Sequence, residues 1–96
     1  MALIKPQFEA GADLVGRGGI VRDPEVHALV LTDILGWAAV HGWHVRGLMR
    51  SPITGAKGNI EFLAWLGRGA TATGRVEELV RSVVGGRDGP SAESQG

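Results

Sequence analysis

The hydrophobic and polar positions along the first half of the chain predict one strand and one helix. Residues 2–5 form a short apolar run that stops at Pro6, whose missing N–H cannot continue a strand ladder, so we predict a buried strand there. Apolar residues then recur every three or four positions over 24–41, which predicts a helix. Asp23 is suited to cap the start of this helix and Gly42 to stop it.

The second half predicts a hairpin followed by a second helix. Apolar and polar residues alternate over 43–50, which is the period of a strand with one better-buried face. A turn-rich segment at 51–58 leads to a second apolar strand at 60–66, and a connection of this length favours an antiparallel hairpin. Within 67–86, valines and a leucine follow the spacing of an amphipathic helix, which Thr73 is suited to cap.

This order of elements is typical of one end of an α/β sheet. We predict three strands with 60–66 in the middle, antiparallel to both 2–5 and 43–50, and a helical crossover between the parallel outer strands. The strand at 2–5 is apolar on both faces, so its free edge predicts a missing neighbour and self-association through that edge. Residues 7–23 are predicted to be mostly loop, with 8–15 suited to a helical turn. Residues 87–96 are predicted to be a disordered tail because they have almost nothing to bury.

Composition narrows the possible functions. Ninety-six residues are enough for one domain only, and ten basic against ten acidic residues exclude a chain that holds nucleic acid by charge alone. The absence of cysteine excludes a disulfide scaffold, and three scattered histidines have no metal-ligand spacing, so no metal site is expected. No apolar run approaches the ~20 residues of a membrane span, and the start lacks a signal peptide, so we expect a cytoplasmic protein.

Aromatic, histidine and glycine-rich positions allow two interpretations each. Trp37, Trp43 and Trp65 match core periodicity, with base-stacking platforms for RNA as the alternative. The histidines are interpreted as surface or packing residues. The glycine-rich segment 16–19 has backbone amides for a phosphate, but it does not join a strand directly to a helix, so we interpret it as a flexible rim of an active site.

Four motifs then carry a resemblance to a known family. They are LIKPQFEAG at 3–11, VGRGGIVRDPEVH at 15–27, GW-V-GL at 42–48 and SPITGAKGNIEFLAWL at 51–66. In this order they resemble the C-terminal part of the FtsJ-like ribosomal RNA methyltransferases, in the branch known as hemolysin A. The resemblance implies that residues 1–66 are the C-terminal fragment of a Rossmann-like methyltransferase sheet, followed by the helix within 67–86 and the tail.

The resemblance also implies an activity and a site. Members of this family transfer a methyl group from S-adenosylmethionine to a ribose 2′-hydroxyl of ribosomal RNA with a Lys-Asp-Lys-Glu tetrad. The third member of the tetrad matches Lys5, expected to orient and deprotonate the hydroxyl, and the fourth matches Glu61, expected to hold the lysine head. The first lysine, the aspartate and the cofactor loop match nothing here and are expected upstream of Met1, so the isolated chain is expected to be inactive.

Weaker candidates and other functions stay open. Arg50 and Lys57 flank the glycine-rich turn and are candidate contacts for the RNA backbone, with solvated surface cations as the alternative. A non-catalytic RNA-binding or assembly module is the alternative to an enzyme. A membrane-active hemolysin is the third possibility, and zero net charge without a cationic amphipathic helix argues against it.

Overall fold

A three-stranded antiparallel sheet organises the chain, of which a computed structural model describes residues 1–85. The strands are β1 (Ala2–Ile4), β2 (Trp43–Arg50) and β3 (Phe62–Arg68), and their order in the sheet is β1-β3-β2. Because β3 pairs antiparallel with both neighbours, the predicted arrangement of the three strands is confirmed. The predicted disordered tail at 87–96 lies outside the described residues.

Three α-helices connect or follow these strands: α1 (Pro6–Glu9), α2 (Pro24–Val40) and α3 (Arg75–Val83). Asp23 caps α2 as predicted, since its side chain accepts a hydrogen bond from the Glu25 amide at 2.9 Å. Gly42 follows the end of α2 with a φ of 88°, a left-handed conformation that favours glycine. Local signals therefore set both ends of the long helix.

Other boundaries differ from the sequence-based expectation. Thr73 is not the cap of α3, because the cap residue is Gly74, whose left-handed backbone leads into the helix without a side-chain hydrogen bond. The strand predicted at 2–5 ends at Ile4, because Lys5 is already the cap residue of α1 and Pro6 its first residue. The segment predicted as loop therefore begins with a helical turn.

The predicted alternation of β2 is interrupted by a β-bulge. The pairing register with β3 shifts between Val45 and Gly47, so that Arg46 is the extra residue. As a result Val45 and Leu48 are the buried residues of the strand, although they lie three positions apart. The predicted alternation of buried and exposed residues is therefore interrupted at the bulge.

The hydrophobic core lies between the sheet and helices α2 and α3, which contact β2 and each other. Its buried members come from all of these elements and include Ile4, Val30, Leu31, Leu35, Val45, Phe62, Ala64, Val76 and Val80. The interpretation of the tryptophans as core residues is wrong. Trp37 is 60% exposed and stacks on His41, whereas Trp43 and Trp65 are partly exposed, at 37% and 36%. No helix within residues 1–85 has the length and apolar character that crossing a membrane requires.

The two outer edges of the sheet are unlike each other. At β2 the Thr71 hydroxyl donates to the Trp43 carbonyl at 2.8 Å and accepts from the Val45 amide at 2.9 Å. The Arg75 guanidinium donates to the Arg46 carbonyl at 3.1 Å. Within residues 1–85, by contrast, β1 pairs with β3 alone, so its other edge has no strand partner. Side chains therefore cover one edge, and the β1 edge is open to another strand.

Candidate functional site

Three sequence-predicted site residues lie at the same end of the sheet. Ile4 of β1 and Arg50 of β2 both pair with Phe62, the first residue of β3. Lys5 directly follows Ile4 and Glu61 directly precedes Phe62, so continuing the antiparallel register sets Lys5 opposite Glu61. The structure thus brings residues together that are far apart in the sequence.

Glu61 is a buried carboxylate with an unusual surrounding. Only 6% of the residue is exposed, and its Oε2 accepts a hydrogen bond from the Gln7 side-chain amide at 2.8 Å. The backbone of Gly55 packs directly against the carboxylate, so closely that a Cβ at position 55 would collide with it. Because a buried charge needs hydrogen-bonding partners, the Gln7 contact is a principal constraint on where this carboxylate lies.

Lys5 does not make the contact with Glu61 that the resemblance implies. Its Nζ lies 5.6 Å from the centre of the Phe8 ring, and in the described part of the chain no ion pair links it to Glu61. Phe8 is 72% exposed, so this cation–π contact is formed at the surface. The two residues are therefore neighbours in the fold without being bonded to each other.

Asn59 holds the loops around this end of the sheet. The residue is only 1% exposed, and its Oδ1 accepts from the Val21 amide at 2.9 Å. Its Nδ2 donates to the Gly19 and Ala56 carbonyls, both at 3.0 Å. One side chain thereby joins the glycine-rich loop to the turn before β3, close to Glu61 in the sequence.

The weaker RNA-contact candidates border the same site. Lys57 is exposed in the turn between β2 and β3, with a left-handed φ of 59°, and a Cβ on Gly19 would lie 3.6 Å from its Nζ. Arg50 is half-buried at the end of β2. Two of the four amides of the segment 16–19 are engaged within the loop, since Gly16 donates to the Ile20 carbonyl and Gly19 to the Gly16 carbonyl. That loop is therefore better suited to shape a rim than to cradle a phosphate.

Sequence reasoning missed the residues that position Glu61. No pattern in the sequence assigns a role to Gln7, Gly55 or Asn59, although Gln7 lies two residues after Lys5 and Asn59 two residues before Glu61. Their position inside the same motifs is the signal that could have identified them. What the sequence does not show is that Gln7 contacts Glu61, which lies 54 positions away along the chain.

We expect Gly55→Ala to destabilise the chain by about 1–3 kcal/mol, because the new methyl group would overlap the Glu61 carboxylate. Gly55 has an ordinary φ of −85°, so the effect is steric and not a matter of backbone conformation. Urea unfolding measures it. Gly11→Ala is the matched control, since Gly11 has a φ of −65° and open space around its Cα. Equal stability of the two variants would contradict the close packing at Glu61.

A buried histidine lies beneath the site. His27 Nε2 donates to the Val21 carbonyl at 3.0 Å, and its ring packs edge-on against Phe62 with centroids 5.5 Å apart. Burial lowers the pKa of His27 below 6.5, and the charge of Arg50 lowers it further. The Val21 carbonyl and Asp23 oppose this shift without reversing it. The folded chain therefore favours the neutral ring.

This lowered pKa predicts acid-sensitive stability. As the pH falls below 6.5, the unfolded chain binds a proton at His27 more readily than the folded chain does, so the free energy of unfolding decreases. Urea midpoints at about pH 7.5 and about pH 5.5 measure the difference. In His27→Gln, which has no titrating ring, we expect this difference to shrink. A wild-type midpoint that is higher at the acid pH than at the neutral one would contradict the direction of the shift.

Comparison with known proteins identifies the family of this chain. A sequence model of the FtsJ-like methyltransferase family matches residues 1–68. The Bacillus subtilis protein named "Putative rRNA methyltransferase YqxC" is 52% identical over 87 residues, covering 88% of this chain and 31% of that protein. The 16S/23S rRNA (cytidine-2′-O)-methyltransferase TlyA of Mycobacterium tuberculosis is 38% identical over 88 residues, covering 88% of this chain and 33% of its own.

The fold is shared as well. A solved structure described as a "putative hemolysin" from Streptococcus thermophilus superimposes with a TM-score of 0.72 at 43% identity, covering 83% of this chain and 30% of that one. The chain thus spans about a third of the length of the curated relatives that it matches. With a family match over most of its length and relatives of this identity, the chain belongs to the FtsJ-like methyltransferase family.

Proposed function

We propose that this chain is the C-terminal part of an S-adenosylmethionine-dependent methyltransferase that acts on a ribose 2′-hydroxyl of ribosomal RNA. The observation that carries the proposal is the convergence of Lys5 and the buried Glu61 at one end of the sheet, in a chain of the FtsJ-like family. The name of TlyA specifies ribosomal RNA and a 2′-oxygen, which supports the choice of substrate.

The chemistry explains why these two side chains belong in such a site. A ribose hydroxyl is a weak nucleophile, so it reacts faster when a positioned base takes its proton. In the proposal the neutral Lys5 amine takes the proton of the 2′-hydroxyl, and the Glu61 carboxylate accepts a hydrogen bond from the lysine and orients it. Arg50 and Lys57, which border the site, contact the RNA backbone.

The residues described here fit the hydroxyl-activating side of the site. An amine and a buried carboxylate suit a hydroxyl, whereas two of the amides of the loop at 16–19 are already engaged within that loop. S-adenosylmethionine, when bound, supplies the electrophilic methyl group. We propose that most of its binding residues belong to the two thirds of the relatives that this chain does not span. Because its proposed substrate is ribosomal RNA, we propose that the chain functions in the cytoplasm.

A graft tests the function directly. Residues 1–85 of this chain would replace the matched segment of M. tuberculosis TlyA, and transfer of radiolabelled methyl groups to ribosomal RNA would be measured. We expect an active graft that loses activity in Glu61→Gln but keeps it in Glu77→Gln, because Glu77 is exposed on α3 and remote from the sheet end. An inactive graft that still folds and binds RNA would instead favour the non-catalytic RNA-binding module.

The 96-residue chain by itself is proposed to lack a working cofactor site. Isothermal titration with S-adenosylmethionine should give no saturable heat at micromolar concentrations. A clear micromolar site on the purified chain would contradict this division of the active site.

The open edge of β1 predicts self-association of the purified chain. Unpaired strand edges recruit other strands, and β1 has a free edge whereas β2 is covered by Thr71 and Arg75. Sedimentation at tens of micromolar should detect dimers or larger species. Leu3 is an exposed residue of this edge strand, so Leu3→Lys adds a charge there without removing a backbone amide. This variant should shift the equilibrium toward monomer. A strictly monomeric wild-type chain would contradict the prediction.

A further inference from the structure

We infer that Gln7 is a positioning residue that joins the two candidate catalytic side chains, holding the Glu61 carboxylate with its amide and receiving the Lys5 amine with its carbonyl. The inference rests on the proposed function, since it assigns a role within the same site. It concerns a residue for which the resemblance supplies no role.

The first half of this role is already formed. Gln7 Nε2 donates to Glu61 Oε2 at 2.8 Å, and the backbone of Gly55 packs against the same carboxylate group. Gln7 is in the first turn of α1, and Glu61 leads into β3. The bond therefore ties the end of β1 to the start of β3 across 54 positions of sequence. With Gly55 packed against it, the carboxylate has little freedom to change its orientation.

The second half is indicated by an atom without a partner. Gln7 Oε1 is buried and accepts no hydrogen bond, and it is the one such atom among the side chains that the structure describes. Buried amide oxygens normally have a donor, so one left without a donor requires an explanation. The same side chain uses its nitrogen on Glu61, so turning the amide over would set two acceptors against each other. The unpartnered oxygen is thus fixed in place by the bond to the carboxylate.

The Lys5 side chain, two residues from Gln7, makes no hydrogen bond in the part of the chain that the structure describes. Its Nζ lies 5.6 Å from the centre of the Phe8 ring, a weak contact on a ring that is 72% exposed. A lysine head carries several N–H donors on a flexible stem, and Lys5 is two residues from Gln7. When it leaves Phe8, it can donate to Gln7 Oε1 and to Glu61 together. The third position on its nitrogen then faces the hydroxyl of the substrate.

A purely structural role for Gln7 makes a different prediction. If Gln7 only fills space between α1 and β3, then Gln7→Met, which has similar length and no polar group, should fold and react like the wild type. If Gln7 positions the site, Gln7→Met should keep a cooperative thermal transition but lose about 10- to 100-fold in kcat, with KM for RNA little changed. Glu9→Met, on the exposed side of the same helical turn, is the matched control for the substitution.

A second variant gives a signature that packing alone would not produce. In Gln7→Glu the acceptor oxygen remains, and the lost donor returns only when the new carboxyl group is protonated. The activity of Gln7→Glu relative to wild type should therefore rise as the pH is lowered, whereas the relative activity of Gln7→Met should not depend on pH.

Both variants would be measured in the active TlyA graft, from pH-rate profiles with RNA as substrate. The role of Gln7 is supported by a loss of kcat in Gln7→Met together with acid recovery in Gln7→Glu. It is overturned, with the proposed function intact, if the graft needs Glu61 but Gln7→Met has a wild-type kcat and pH profile. A folded graft that is inactive with Gln7 present overturns the proposed function and this role with it.

Discussion

Replacing Lys5 with alanine in the TlyA graft is expected to lower kcat for methyl transfer by about 10²–10⁴-fold, the usual contribution of a general base. The expectation follows from the position of Lys5 at the end of β1, opposite the buried Glu61. Because the Lys5 side chain makes no hydrogen bond or ion pair in the described part of the chain, truncating it to alanine should leave the fold nearly unchanged. A large loss of rate with a small loss of stability is therefore the expected combination.

Two further variants separate proton transfer from charge. Lys5→Arg keeps the positive charge, but a guanidinium does not give up its proton, so we expect a rate close to that of Lys5→Ala. Arg81→Ala removes an exposed cation from α3, away from the sheet end, and should leave the rate within about twofold. If Lys5→Arg retains most of the activity, the lysine contributes its charge and not proton transfer.

The elements with strong local signals could be predicted from the sequence. Helix α2 has a capping aspartate, a first-turn proline and a terminal glycine, all of which act within a few residues of the helix ends. The hairpin of β2 and β3 follows from two apolar runs joined by a turn-rich segment. The order of the three strands required only the preference for short connections and parallel outer strands.

What could not be predicted depends on contacts that sequence spacing does not encode. The bulge at Arg46 arises from how β2 fits β3, and it moves the buried position from Gly47 to Leu48. The exposure of Trp37 depends on which side of α2 packs against the sheet and α3, and the spacing of apolar residues does not settle this. Likewise, the motifs identify Lys5 and Glu61 as candidate site residues, whereas the hydrogen bond from the Gln7 amide to Glu61 is evident only in three dimensions.

The loops around the site depend on one side chain, so Asn59→Ala is expected to be the most destabilising single substitution proposed here. It removes three hydrogen bonds, to the Val21 amide and to the Gly19 and Ala56 carbonyls. The Val21 amide would be left buried without an acceptor, and each such loss costs about 1–3 kcal/mol. We expect a total loss of about 3 kcal/mol or more, a large share of the ~5–15 kcal/mol of an ordinary domain.

Urea unfolding of the purified chain at neutral pH measures this loss. Ser82→Ala is the control, because Ser82 is an exposed residue of α3 whose hydroxyl makes one local bond to the Leu79 carbonyl, and it should change stability by less than about 0.5 kcal/mol. Asn59→Asp should also be strongly destabilising, because it keeps the acceptor for Val21 but exchanges two donors for a buried charge next to two carbonyl oxygens. If Asn59→Ala is as stable as Ser82→Ala, the loops at 16–21 and 55–58 are held by other contacts, and the rigid surrounding inferred for Glu61 has to be abandoned.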